Sequence, residues 1–382
     1  MVRRIMVLAA FGLSTGFWSA FAFQPLFGPA TDYKVEPYPR SVYAADLDGD
    51  GDMDLATGKE GGIVSVLKNL GDGTFATGTD YETECCPYSV FAADLDGDGD
   101  RDLAAVAFSS RGTVSVLKNL GDGTFAAKVV YETDASPHSV FTADLDGDGD
   151  RDLITANTYA NTVSVLKNNG DGTFATRVDY GKGGNPYSVS AADLDGDGKP
   201  DLATANFEGN TVSVLKNNGD GTFAANVDYG TGSGPWSVFA ADLDGDGKPD
   251  LATANSEGNT VSVLKNNGDG TFAARVDYGT GSYPTSVFAA DLDGDGDRDL
   301  AVAALLSRSV SVLKNLSVAV RGDMNFDGSL TAADVVLMLN CVFLAEGICN
   351  LSFTDVNCDG ALTPADAVIE LNAVFLGAPF PC

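Results

Sequence analysis

The segment Asp-Leu-Asp-Gly-Asp-Gly occurs six times in this 382-residue chain. The copies start at Asp46, Asp94, Asp144, Asp193, Asp242 and Asp291, at intervals of 48, 50, 49, 49 and 49 residues. A period this regular requires one structural unit copied along the chain, and each unit must bury its apolar face against its neighbours. One unit reads as four short strands. Ser237–Ala241 is apolar and feeds the acidic segment; Leu251–Asn255 follows it. Thr260–Lys265 alternates apolar and polar, and an Asn-Gly-Asp-Gly turn leads into Phe272–Tyr278. Four antiparallel strands per unit, repeated radially, predict a mainly β fold: a six-bladed β-propeller of four-stranded blades. A solenoid of the same period would leave sheet edges bare at both ends.

The Phe-to-Tyr strand recurs at 75–81, 125–131, 174–180, 223–229 and 272–278. It appears once more at Phe27–Tyr33, ahead of the first acidic loop, and none follows the last third strand at Ser309–Asn315. The N-terminal strand is therefore expected to complete the last blade and close the ring.

Each acidic loop places carboxylates at positions 1, 3, 5 and 9, with glycine at 6. The candidate ligands are Asp46, Asp48, Asp50 and Asp54; Asp94, Asp96, Asp98 and Asp102; Asp144, Asp146, Asp148 and Asp152; Asp193, Asp195, Asp197 and Asp201; Asp242, Asp244, Asp246 and Asp250; and Asp291, Asp293, Asp295 and Asp299. Calcium takes six to eight oxygens in a flexible shell, and alternating aspartates suit it. Magnesium fits less well because it keeps its waters, and without sulfur or imidazole the loops do not suit zinc or copper. The loops hold 28 of the 54 acidic residues of a chain whose formal charge is −31. The acidity is therefore directed at ions, and no basic patch offers itself to nucleic acid.

Residues 1–22 read as a secretory signal peptide. Arg3 and Arg4 precede an apolar run from Ile5 to about Phe21, and Ala20-Phe21-Ala22 supplies a small-x-small cleavage site. Export to the cell exterior or cell surface, with no membrane span after cleavage, suits both calcium and the six cysteines. Cys85 and Cys86 are adjacent, and whether they form a disulfide, two thiols or a link to another chain stays open. Cys341, Cys349, Cys358 and Cys382 allow three pairings, with Cys341–Cys349 and Cys358–Cys382 preferred.

The Asp-x-Asp-x-Asp-Gly-x-x-Asp-Leu loop, the Val-Ser-Val-Leu-Lys-Asn strand and the Gly-Asp-Gly-Thr-Phe turn closely resemble the FG-GAP-like (VCBS) repeat, across residues 23–318. Relatives of this family include the calcium-bearing propellers of integrin α chains. The resemblance implies a propeller with up to six calcium ions, used as a scaffold or binding module.

From Arg321 the pattern changes. Asp323, Asn325, Asp327 and Asp334, then Asp355, Asn357, Asp359 and Asp366, stand at positions 1, 3, 5 and 12 of two EF-hand-type loops, each opening a helix (333–343 and 365–375). Residues 321–382 resemble a type I dockerin, a small all-α domain. That resemblance implies two more calcium ions and calcium-dependent docking to a cohesin-like protein. Positions 10 and 11 are Ala332-Ala333 and Pro364-Ala365, which departs from the hydroxyl pair of cellulosomal relatives and points away from their partner specificity.

A ligand face is expected opposite the acidic loops. There a Pro-x-Ser segment opens strand one, and x is Arg40, Tyr88, His138, Tyr187, Trp236 or Thr285, joined by Tyr159 and Phe207 from the turns between strands two and three. Aromatic rings around an axis can stack on sugars or grip a peptide. The expected function is a secreted calcium-binding scaffold for protein or carbohydrate binding or adhesion. The alternative is a polysaccharide-degrading glycosidase or lyase. One histidine, His138, gives little material for a histidine-centred triad. A carboxylate pair could serve glycoside hydrolysis, yet Glu82, Glu84 and Glu132, the least repetitive acids, read as surface charges. No catalytic residue is assigned.

Overall fold

The computed structural model describes residues 31–315, apart from Lys182 and Asp295. Five consecutive four-stranded antiparallel sheets and a sixth of three strands follow one another, each in simple sequence order. Blade one comprises Pro39–Ala45, Asp54–Lys59, Ile63–Leu67 and Thr79–Glu82; blade two Pro87–Ala93, Asp102–Ala107, Thr113–Leu117 and Val129–Glu132; blade three Pro137–Ala143, Asp152–Asn157, Thr162–Leu166 and Val178–Tyr180. Blade four comprises Pro186–Ala192, Asp201–Asn206, Thr211–Leu215 and Val227–Gly230; blade five Pro235–Ala241, Asp250–Asn255, Thr260–Leu264 and Val276–Gly279; blade six Pro284–Ala290, Asp299–Ala304 and Ser309–Leu313. This is the six-bladed propeller expected from the repeat, with the first three strands within two residues of their sequence positions.

The fourth strand is shorter than expected. Phe75, Phe125, Phe174, Phe223 and Phe272 each form one isolated bridge to the asparagine that ends strand three, and regular pairing resumes only at the far end of the segment. The phenylalanine ring is the cause: Phe125, Phe174, Phe223 and Phe272 turn into the space between blades and meet Tyr81, Tyr131, Tyr180 and Tyr229 edge-on, at centroid distances of 5.2, 5.2, 5.2 and 5.3 Å.

The apolar core lies between blades rather than inside any one of them. The first cluster takes Leu47, Val64 and Val66 from blade one and Val90, Leu103, Leu117 and Phe125 from blade two. Four more clusters repeat the arrangement as far as blade six. Sheets stacked face to face interlock side chains from both inner faces, so each blade is stabilised by its neighbours.

The first and last sheets differ from the rest. Val42 is 66% exposed, whereas its counterparts Val90, Val140, Val189, Val238 and Val287 are 3–4% exposed; Phe288 and Val310 are exposed as well. Among the described residues no apolar cluster joins blade six to blade one. The expected closing strand falls on residues 27–33. Residues 27–30 lie outside the described residues, and Thr31–Tyr33 form no strand. The signal peptide, the paired calcium loops of 321–382, their helices and four of the cysteines also lie outside the described residues.

A cavity of about 750 Å³ opens between blades five and six, lined by Leu243, Val263, Val276, Tyr278, Leu300 and Leu313. It occupies the place that Phe125, Phe174, Phe223 and Phe272 fill at the other interfaces. The described part of blade six ends at Asn315, before any such ring. The cavity is thus a packing socket of the repeat rather than a centre of chemistry.

Candidate metal loops and the opposite aromatic face

The six loops are built alike from local hydrogen bonds. The position 1 aspartate accepts at one oxygen from the position 4 glycine N–H, at 2.7–2.9 Å, and at the other from the position 6 glycine N–H, at 2.9–3.1 Å. Both glycines hold positive φ, +77° at Gly49 and +93° at Gly51. No heavy atom lies within 4 Å of where a Cβ would stand, so conformation rather than space demands glycine here. The double turn folds the loop around its own carboxylates. In blades one, three, four and five, oxygens of positions 1, 3 and 5 lie within 4.8 Å of one another; in blade two the group is Asp94, Asp96 and Asp102.

Position 9 plays a different part. Asp54, Asp102, Asp152, Asp201, Asp250 and Asp299 are at most 1% exposed. One oxygen of each accepts from the position 2 leucine N–H at 3.0–3.1 Å, the other from the N–H of the asparagine ending strand three at 2.7–2.8 Å. This carboxylate ties the loop to strand three. Burial pushes Asp102, Asp152, Asp201 and Asp250 up to about 6, against the pull of those two N–H donors and with a further push from the loop's other carboxylates. Asp295 and the eight candidates of 321–382 lie outside the described residues.

Several observations fit these loops to a cation. The donors are all oxygen, which suits calcium. Asp48 Oδ1 and Asp146 Oδ1 are buried without a hydrogen-bond partner, a costly arrangement for a carboxylate oxygen unless positive charge meets it. The clusters can therefore hold metal ions, through positions 1, 3 and 5 with position 9 behind them.

Sequence reasoning overlooked two side chains, an asparagine that serves the loops of blades one to five and a lysine that serves all six. The strand-three asparagines Asn119, Asn168, Asn217, Asn266 and Asn315 donate through Nδ2 to the position 2 carbonyl of the preceding blade's loop: Leu47, Leu95, Leu145, Leu194 and Leu243, at 2.6–2.9 Å. The neighbouring lysines Lys68, Lys118, Lys167, Lys216, Lys265 and Lys314 each pair with the position 3 aspartate of their own blade. The signal was present in the sixfold Leu-Lys-Asn.

At the other end of strand one the Pro-x-Ser segment forms a bulge in every blade: the register slips between the proline and the serine. The residue before each proline takes a left-handed φ, from 42° at Tyr38 to 64° at Gly234. A bulge re-aims a side chain, and here the x residues converge. Ring centroids lie 5.2 Å apart for Tyr88 and His138, 4.6 Å for His138 and Tyr187, and 4.6 Å for Tyr187 and Trp236. His138 and Trp236, two blades apart, stand 5.8 Å apart. The Arg40 guanidinium lies 4.5 Å over the Tyr88 ring. Phe108 stacks on Tyr88 and meets Tyr159; Phe207 meets Tyr187 and Trp236; Tyr283 meets Trp236. Tyr159 is 66% exposed, and the remaining rings are half-buried against one another.

His138 is held low, at about 4, by burial among these rings. Its imidazole is therefore neutral near pH 7, and Nδ1 donates to the Tyr187 carbonyl at 2.9 Å. Glu132 pairs with Arg111 at 2.8 Å and Glu84 with Lys128 at 3.0 Å, which makes surface ion pairs of two acids singled out in the sequence. Cys85 and Cys86 are thiols with their sulfurs 3.0 Å apart, on the approach to Pro87.

The FG-GAP-like repeat model matches residues 46–105, 94–155, 144–204, 193–253 and 242–302, more than half of the chain. The chain belongs to the FG-GAP-like repeat family. No curated protein matches it significantly. Among solved structures, this FG-GAP-like propeller is similar to a lectin from Agrocybe aegerita that recognises non-reducing terminal N-acetylglucosamine. The two are 26% identical, with a TM-score of 0.52, over 73% of this chain and 81% of that one. It is also similar to a functionally unknown protein from Desulfotomaculum acetoxidans DSM 771, at 16% identity and a TM-score of 0.52 over 71% of this chain and 81% of that one, which speaks for the fold alone.

Proposed function

We propose that this FG-GAP-like propeller is a secreted, calcium-loaded scaffold that binds carbohydrate on the aromatic face around its axis. The observation that carries the reading is the continuous set of rings from Tyr88 through His138 and Tyr187 to Trp236. Tyr159, Phe207 and Tyr283 lie at its margin. Faces of this kind hold sugars by stacking their C–H surfaces, while carbonyls and side chains at the rim bond the hydroxyls. The likeness to a lectin that recognises terminal N-acetylglucosamine favours sugar over peptide.

Calcium in the loops would be held by positions 1, 3 and 5, and would neutralise charge that otherwise strains the opposite end of each blade. The module after Arg321 would dock the propeller to a cohesin-like partner, and residues 1–22 would direct export. Screening the purified chain against immobilised glycans, with calcium and with chelator, tests the reading. Retention of N-acetylglucosamine-terminated or related glycans by the wild type, lost in Trp236→Ala, supports it. Failure to retain any glycan sinks it, and release of sugar products would replace it with a catalytic reading.

A further inference from the structure

The cation loops of blades one to four are each covered by the blade that follows. A Cβ added at Gly123, in the hairpin turn of blade two, would stand 2.9 Å from the Asp48 Cβ of blade one. Gly172 stands in the same relation to Asp96 at 2.9 Å, and Gly270 to Asp195 at 3.1 Å. The turn of one blade thus lies directly on the position 3 aspartate of its predecessor.

The strand-three lysine occupies this junction in two postures. In blades one and three it bridges: Lys68 pairs with Asp48 Oδ2 at 3.2 Å and donates to the Asp122 carbonyl of blade two. Lys167 pairs with Asp146 Oδ2 at 3.1 Å and donates to the Asp220 carbonyl of blade four. In blades two and four it withdraws onto its own loop: Lys118 and Lys216 lie against Asp96 and Asp195, and are 53% and 57% exposed against 38% for the bridging pair.

The position 3 carboxylate follows the lysine. Where the lysine withdraws, Oδ1 of Asp96 and Asp195 accepts from the position 5 N–H at 3.4 and 3.1 Å. Where it bridges, Oδ1 of Asp48 and Asp146 is buried and free of partners. In the withdrawn arrangement the buried oxygen without a hydrogen-bond partner is Oδ2 of Asp96 and Asp195, and the lysine ammonium lies against it; in the bridging arrangement it is Oδ1, while the lysine sits at Oδ2 and holds the next blade's turn.

We propose that the strand-three lysine and the position 3 aspartate couple each cation loop to the hairpin turn of the following blade. A cation that takes the position 3 oxygen selects the bridging posture, and the freed ammonium end of the lysine pins its neighbour's turn. Loading one blade then tightens its successor, which makes the ions staples between blades. This rests on the cation reading given above. The lysine is a positioning residue, since it acts on the cation through Asp146.

Hydrogen exchange of the intact chain, with calcium chloride added or stripped by chelation, tests the coupling at residues 218–222, the blade-four turn that faces loop three. Calcium should slow exchange there roughly tenfold, the scale of one charge-assisted hydrogen bond. Asp146→Asn should abolish that response while the blade-three turn, 169–173, keeps its own. Lys167→Met, a change at a partly exposed site, should make exchange at 218–222 independent of calcium. Bound calcium is counted in parallel. Ions bound with a response confined to the blade that carries the loop, or unaltered in Lys167→Met, would overturn the coupling alone. A chain that binds no calcium would overturn both the coupling and the cation reading.

Discussion

Strand one of every blade ends in two different environments about 20 Å apart, at roughly 3.3 Å per residue for seven residues. At its C-terminal end all six blades carry nearly the same loop, closed by the same hydrogen bonds within a few tenths of an ångström. At its N-terminal end the backbone repeats, with the same left-handed residue before the same proline, while the side chain after the proline changes from blade to blade. The acidic end therefore repeats one backbone loop six times, and its variation is confined to how the lysine and the position 3 carboxylate are set. The aromatic end keeps the backbone that delivers a side chain to the axis and varies what is delivered. Uniformity belongs to stability and variation to recognition.

The strongest way to break this division is to strip the ions. Clustered carboxylates left without counter-charge repel, and each filled loop contributes about 2.7 kcal/mol when free calcium is a hundred times its dissociation constant. Chelator should lower the melting temperature by far more than any single substitution. A melting curve indifferent to excess chelator would remove the metal role from the acidic end altogether.

Within that end, positions should differ sharply. Asp152→Ala leaves the Leu145 and Asn168 N–H groups buried and unpaired, at about 1–3 kcal/mol each. Asp150→Asn, at half-buried position 7, should stay within about 0.5 kcal/mol. Chemical denaturation of the two variants decides the matter; equal losses would show that position 9 is no more than another surface acid.

Much of this was readable before any coordinates. The 49-residue period, the strand order and the placement of Asp, Gly and Phe in each unit are local patterns, and local patterns survive in a single sequence. What stayed hidden joins residues a repeat and a half apart. Asn119 serves Leu47, 72 residues away, and nothing in either segment names the other. Position 9 shows the same limit from another side: the spacing marked Asp152 as one ligand among four, but its burial and two backbone donors make it first a tie between loop and strand three. The rings were read as a set of candidates. Only the bulge at each proline explains why His138 and Trp236, from blades three and five, meet.

On the aromatic end, Trp236→Ala should weaken glycan binding by about 1–3 kcal/mol, the range of a buried aromatic anchor, with a smaller cost in stability because its partners Tyr187 and Phe207 still pack on each other at 5.1 Å. Thr285→Ala at the matching place in blade six should leave binding unchanged. Titration of both variants with the glycan that the wild type retains sharpens the contrast. Equal losses would mean that the face reads shape alone, without a dominant ring.

The smallest effect separates the two ends by the sign of a pH response. Burial raises Asp102, Asp152, Asp201 and Asp250 to about 6 in the folded chain, above the ordinary carboxylate value of 3.8. Between those values the folded state binds more protons than the unfolded state, so metal-free protein should lose stability as pH rises from about 4 to 6. A bound divalent cation inverts this, because its charge favours the ionised carboxylates and protons must then displace it. His138, lowered from 6.5 to about 4, works the other way: it stays neutral in the folded chain while the unfolded imidazole is protonated, so it gains stability as pH rises through the window, but one imidazole is outweighed by four carboxylates. Melting curves at pH 5 and pH 7 should therefore rank in opposite order: metal-stripped protein more stable at pH 5, calcium-saturated protein more stable at pH 7. The same order in both would mean that the position 9 carboxylates do not feel the ion, and that the acidic end stabilises the blades through its backbone hydrogen bonds alone.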